Sequence, residues 1–240
     1  MENMKTIHVL WTGGWDSSFR VLEALLMEDA VVKPYYVVDV KRKSTTFEVA
    51  AMAKIRNQFC ERYPALAERF LAVEMIHKDE IKPNSEVTEY FQLLASKTRI
   101  GSQYDWLARF AHQFQIDALE LCIEKFDSDG SRIFGDYIVP LLKGVGHECR
   151  VEGPFTEPGM RLFTCFRFPI IHIEKNEMRR IAEKQGFVDL MRLIWFCHHP
   201  AKDGKPCGKC RPCQLANGSG MTYEFSKVSL LEKTINFFKS

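Results

Sequence analysis

Residues 10–18 read LWTGGWDSS: two glycines, Gly13 and Gly14, stand directly after an apolar run, followed by a carboxylate, Asp16, and two hydroxyls, Ser17 and Ser18. The run before them, IHVLW (7–11), is bulky and partly β-branched, as a buried strand is. Beyond Ser17 the apolar residues Phe19, Leu22, Leu25 and Leu26 recur at helical spacing as far as about Asp29. A strand, a glycine turn and a helix in that order place residues 12–18 where ligands sit in parallel α/β sheets, outside the carboxyl ends of the strands. Glycines there can adopt positive φ and let a ligand touch the backbone. The unpaired N–H groups of the first helical turn favour an anion, for which phosphate is the obvious candidate. Asp16 would repel a bare phosphate, and fits if Mg²⁺ lies between them. The plainer alternative is a tight turn in which Asp16 and the serines cap the helix.

Working outward, the alternation continues. YYVVDV (35–40), FLAVEMI (70–76) and ALELCIE (118–124) read as strands, and CFRFPIIHI (165–173) as a strand that Pro169 confines to an edge or a bend. Ala51, Ile55 and Phe59 mark one face of a helix, 103–114 is helical, and 174–186 is a helix closed by Gly186. YEFSKVSLLEKTINFF, after Ser219, reads as an amphipathic helix packed on the body. The expected fold is therefore α/β, a Rossmann-like, mainly parallel sheet with helices on both faces. Residues 1–190 are expected to form the nucleotide-binding domain, and 191–240 a metal loop and helix packed on it.

Composition narrows the class. With 46% hydrophobic and 27% charged residues the chain is an ordinary folded protein, and a net charge of +2 gives no strong pull toward nucleic acid or an anionic membrane. No apolar run is long enough to span a bilayer, and MENMKTIHVLW lacks the blocks of a secretion signal, so a cytoplasmic location is expected. In a reducing compartment the eight cysteines should not form disulfides. Cys60, Cys122, Cys149 and Cys165 read as small buried residues. Cys197, Cys207, Cys210 and Cys213 differ: their spacing, C-x9-C-x2-C-x2-C, suits a closed tetrahedral Zn²⁺ site, with His198 and His199 outside the ligand shell.

Thr12-Gly13-Gly14-Trp15-Asp16-Ser17-Ser18 resembles the S-G-G-x-D-S pyrophosphate loop of the ATP-pyrophosphatase superfamily, an adenine nucleotide alpha-hydrolase-like fold, with threonine for the first serine. Together with the four cysteines, it is similar to 7-cyano-7-deazaguanine synthases of the queuosine pathway. Lys175 and Glu177 match a lysine and glutamate that open a helix ahead of the zinc loop there. Gly101 matches a nucleotide-proximal element, and Asp39 and Glu48 match the family's second-strand motif. The resemblance implies ATP and Mg²⁺ bound by Thr12, Gly13, Gly14, Asp16, Ser17, Ser18 and Asp39, with Asp16, Ser17 and Lys175 in catalysis. It further implies adenylation of a carboxylate, such as 7-carboxy-7-deazaguanine, followed by capture with an amine to give an amide or nitrile. Members often form homodimers.

The middle of DVKRKSTTFE departs from the family, and FDSDGSRIFGDY (126–137) stands where the family holds the deazapurine, so the resemblance carries ATP chemistry and not the substrate. Related branches in bacterial anti-phage defence clusters keep both motifs while varying the substrate loops, and there the amine can belong to a protein. The competing readings are a tRNA sulfur transferase of the same superfamily and a non-enzymatic zinc module. Trp11, Trp15, Trp106 and Trp195 are either base-stacking or ordinary core residues. His77, His112, His147 and His172 show no partner in the sequence.

Overall fold

The computed structural model describes residues 4–125, 133–218 and 223–226. Strands β1 (Lys5–Leu10), β2 (Ala30–Val38), β3 (Glu74–His77) and β4 (Leu119–Glu120) pair in parallel, and β7 (Phe166–Arg167) joins β4 in the same sense. Two short strands, β5 (Leu142–Lys143) and β6 (Arg150–Val151), add an antiparallel margin beyond β7. Among the described residues the strand order is β3-β2-β1-β4-β7-β6-β5. Chain order therefore reverses between β1 and β4, the kind of place where open α/β sheets bind ligands.

Alternation along the strands divides the interior into two cores. Ile7 and Val9 of β1, Trp11 just after it, and Val32 and Tyr36 of β2 face one layer. That layer also holds Phe19 and Leu22 from α1 (Trp15–Met27) and Met52, Ile55 and Phe59 from α2 (Thr45–Arg62). Tyr35 and Val37 face the other, with Leu94 of α3 (Ser85–Ala95) and Leu107 and Phe110 of α4 (Gln103–Gln113). Both faces of the parallel part are covered, as such sheets require. After β7 come α5 (Lys175–Lys184), the single turn α6 (Val188–Met191) and α7 (Arg211–Gly218).

The expected strands are present with different limits. β2 starts at Ala30 rather than 35, because Pro34, which lacks an N–H, falls between the Val32–Phe70 bridge and the Tyr35–Glu74 pair, where β2 has no partner on its β3 side. The chain leaves the sheet across the same gap, so of the expected 70–76 strand only residues 74–76 are regular, and the strand runs on to His77. β7 lies inside the sheet, and Pro169 does not mark an edge: it opens the turn that ends the strand. Gly186 closes α5 at φ +76 as expected. Residues 223–226, where the last helix was expected to begin, are irregular, and the rest of that helix lies outside the described residues. So do residues 126–132 of the loop at 126–137.

One buried charge network locks α1 to the sheet. Arg20 is fully buried and forks onto Glu120 of β4 through Nε (2.8 Å) and a second nitrogen (3.0 Å), and it also pairs with Glu23 and Glu28. His147, beside the antiparallel margin, reaches Glu23 at 3.1 Å and Glu28 at 3.0 Å. Removing one partner from a buried pair of this kind costs about 3–5 kcal/mol.

Candidate functional site

The glycine turn leaves β1 through Thr12, whose N–H donates to Ser17 Oγ at 3.2 Å. Gly13 sits at φ +66, and a Cβ there would lie 2.8 Å from the Glu48 carbonyl oxygen and 3.1 Å from Met52 Cγ. Backbone shape and the pressing of α2 both require glycine at this position. Gly14 caps α1, and the first helical bond runs from Ser18 N–H to the Gly14 carbonyl at 3.1 Å. The N–H groups of Trp15, Asp16 and Ser17 are thus left without a helical acceptor, the arrangement that attracts anions.

The loop is a ridge between two cavities, of about 350 and about 220 Å³, and Thr12, Gly14, Trp15 and Asp16 line both. The larger one continues over Arg42, Lys175 and Arg179 to Trp195, Phe196 and Tyr223. The smaller is closed by Leu10, Tyr104, Leu107 and Leu121, with Ser17 at its edge.

Lys175, the first residue of α5, lies 3.3 Å from Asp16 Oδ1 and pairs with Glu124. Sequence reasoning missed Glu124, which follows β4 and meets α5 only through the fold. Burial pushes the Asp16 carboxyl up to about 6, with Lys175 working against the rise and Glu124 adding to it. Burial disfavours the Lys175 ammonium, yet Asp16 and Glu124 hold it above the usual lysine range. Asp16 Oδ1 is closed off from solvent, and Lys175 is the cation that faces it. A carboxylate oxygen closed off from solvent, with a second carboxylate across a lysine, suits a divalent cation carrying phosphate.

Other expected site residues are placed differently. The Ser18 hydroxyl is fully buried and accepts the Trp11 indole N–H at 2.9 Å, so it faces the core. Asp39 lines neither cavity; the Lys41 N–H (3.0 Å) and Lys78 (3.1 Å) hold its carboxyl below the usual range. Glu48 does line the larger cavity, but it is buried and takes bonds from Tyr36 (2.6 Å), Arg42 (2.6 Å) and Ser44 (2.8 Å), which occupy its carboxylate.

The four clustered cysteines come together. Their Sγ atoms lie 3.9 Å apart for Cys197–Cys210 and Cys207–Cys213, and 3.4 Å apart for Cys210–Cys213. Cys197 Sγ accepts the Cys207 N–H at 3.2 Å, and Cys207 Sγ accepts the N–H groups of Lys209 and Cys210, both at 3.4 Å. Thiolates about 2.3 Å from one tetrahedral ion sit about 3.8 Å from one another, so the set fits a single zinc-sized ion. In a 4Fe–4S cluster each thiolate takes a separate iron, which spreads the sulfurs further. Neither His198 nor His199 belongs to the four-sulfur group. All eight cysteines are free thiols; Cys149 and Cys165 are buried, Cys60 and Cys122 half-buried.

No protein-family profile matches the chain, and no curated protein matches it. Among solved structures it is similar to the U34-tRNA thiolase NcsA from Methanococcus maripaludis, determined with its 4Fe–4S cluster. Identity is 19% and the TM-score 0.42; the match covers 78% of this chain and 58% of NcsA. No described helix is long and apolar enough to cross a membrane.

Proposed function

We propose that the chain is an ATP-dependent ligase that activates a carboxylate by adenylation and passes the acyl group to an amine. The carboxylate oxygen attacks the α-phosphorus of ATP, a new O–P bond forms, and the bond to pyrophosphate breaks. Departing charge falls on the N–H groups of Trp15, Asp16 and Ser17, on the Thr12 and Ser17 hydroxyls, and on Lys175, all fixed before reaction. Mg²⁺ held through Asp16 would neutralise phosphate charge during the transfer. The amine nitrogen then attacks the acyl carbon, AMP leaves, and the amine gives up a proton to yield the amide. With ammonia as the amine, a second ATP can dehydrate that amide to a nitrile.

The observation that supports this reading is the ridge itself: one phosphate-shaped loop with a cavity on each side gives a nucleotide and a second reactant access to the same atoms. The larger cavity has aromatic walls at Trp195, Phe196 and Tyr223 and cations at Arg42 and Arg179, which suits a planar anion such as a deazapurine carboxylate. Zn²⁺ on the four cysteines would serve structure, since no ligand position stays open.

Product analysis by mass spectrometry tests the reading. Protein, ATP-Mg²⁺ and 7-carboxy-7-deazaguanine are incubated with ammonium or a candidate protein amine, beside Asp16→Ala. AMP, pyrophosphate and a deazapurine amide or nitrile are expected, and the variant should form none. AMP formed only with the protein amine identifies a conjugating enzyme. If AMP appears with no carboxylate tried, the ligase chemistry fails.

A further inference from the structure

We infer that Trp195 is a positioning residue that couples the four-cysteine loop to the phosphate loop, so that metal retention and nucleotide binding strengthen each other. The inference rests on the nucleotide reading of residues 12–18.

Trp195 touches three things at once. Its backbone N–H donates to the Gly13 carbonyl at 2.8 Å. Its indole N–H donates to the Cys197 carbonyl at 2.7 Å. Its ring stacks on Phe47 at a centroid distance of 4.4 Å and an interplanar angle of 22°. Phe47 belongs to the first turn of α2, the helix whose Glu48 carbonyl and Met52 side chain press on Gly13.

The bond to Gly13 matters because of peptide geometry. The Gly13 carbonyl and the Gly14 N–H belong to one planar trans unit and point in opposite directions. Holding the oxygen on the Trp195 side therefore aims the Gly14 N–H the other way. Glycine on both sides would otherwise let that unit turn at little steric cost. Trp195 thus fixes the direction of a donor in the middle of the phosphate loop.

The other end of the strut depends on the metal. Cys197 is fully buried, and its sulfur is one of four that lie within 4.8 Å of one another, linked by contacts of 3.4–3.9 Å. Among the described residues, the hydrogen bonds that reach these sulfurs from the backbone are weak N–H to sulfur bonds. Backbone bonds that brace the loop among the described residues include Ala201 to Lys205 (3.0 Å), Gly204 to Ala201 (3.0 Å) and Ser226 to Pro206 (2.9 Å), none of which joins two of the cysteines. An ion that fixes Cys197 fixes its carbonyl, the indole above it, and through Trp195 the Gly13 peptide. Thermodynamic linkage then requires the reverse: whatever phosphate does to order Gly13 must tighten the hold on the ion by the same factor.

The test partitions zinc between the protein and a chromophoric chelator at equilibrium, with and without saturating ATP-Mg²⁺, alongside calorimetric titration of ATP-Mg²⁺. In the wild type, ATP-Mg²⁺ should tighten zinc binding by about fivefold or more, the lower end of common coupling strengths. Trp195→Phe keeps the backbone N–H and an aromatic ring facing Phe47 and removes the indole donor with part of the ring area. It should keep its thermal midpoint within a few degrees, bind ATP-Mg²⁺ more weakly, and hold zinc with an affinity ATP no longer changes. A purely structural role would alter zinc affinity equally with and without nucleotide. Wild-type protein that binds ATP-Mg²⁺ yet shows an unchanged zinc affinity overturns the coupling, and this comparison stands without the variant. A variant that keeps the full wild-type coupling overturns the role of Trp195. Wild-type protein that binds no ATP-Mg²⁺ overturns the nucleotide reading, and the coupling with it.

Discussion

Replacing His147 by glutamine should remove a pH-dependent part of the stability, with a sign and window fixed by the network around Arg20. Hydrogen bonds to Glu23 and Glu28 raise the imidazole from an ordinary 6.5 to about 9 against the cost of burial. Burial likewise works against the charge of Glu28, yet the bonds from His147 and Arg20 pull its carboxyl down to about 2. A folded-state value above the unfolded one means that the folded protein holds the proton more tightly. The stabilisation is therefore complete below pH 6.5 and disappears as pH rises through 9. At about 1.4 kcal/mol per tenfold change in proton affinity, the difference is about 3 kcal/mol. The His147 side chain is 28% exposed, and solvent screening reduces this to about 2 kcal/mol. For a chain of this size that is about 4–8 °C in thermal midpoint. Thermal or urea unfolding of both proteins from pH 6 to 10 should show His147→Gln weaker at pH 6.5 and the two curves converging near pH 10. Contributions from the cysteines cancel in the difference. Parallel curves across the whole range would refute the argument, because they would mean that His147 carries no extra proton in the folded state.

Two further outcomes follow from the loop and the sulfurs. Gly13→Ala should cost about 1–3 kcal/mol from its positive φ alone, more from the 2.8 Å approach to the Glu48 carbonyl, and should abolish ATP binding. Gly14→Ala, whose nearest neighbour would be 3.5 Å away, should leave the unfolding midpoint nearly unchanged while weakening nucleotide affinity; calorimetry of both variants separates the two effects. Elemental analysis should find one zinc per chain and no sulfide-bound iron. The visible absorption of an iron–sulfur cluster in anaerobically purified protein would contradict the single-ion geometry.

What the sequence made legible was local. The strand, turn and helix around residues 10–18 carry their own periodicity and punctuation, and the four cysteines are close enough in the chain for spacing alone to suggest one ion. The same locality accounts for what was missed. The helix Ser85–Ala95 has a plain start signal, Asn84 accepting the Val87 N–H at 3.1 Å, but its apolar stripe is thin: only Val87 and Leu94 are buried. The antiparallel strands β5 and β6 are two residues each, too short for any alternation to register. Ser18 looked like a phosphate ligand because the motif places it there, yet at the fourth helical position it faces inward, where the Trp11 indole needs an acceptor.

The site residues that no motif flagged are joined across long stretches of chain. Glu124 reaches Lys175 over 51 positions, and His147 meets α1 from the far margin of the sheet. Trp195, whose sequence left stacking and core roles open, bonds a glycine more than 180 positions earlier. Spacing arguments act over one or two turns of helix, so contacts of this kind emerge only once the sheet order is known. They also explain why the loop can be a ridge at all. Glu48 of α2, the start of α5 and Trp195 wall the larger cavity, while α4 and the chain just after β4 wall the smaller, so each cavity needs elements far apart in the sequence. A loop built this way gains its precision from distant parts of the chain. The phosphate loop should therefore lose function well before the protein loses its fold, and limited denaturation that spares the parallel sheet should abolish ATP binding first.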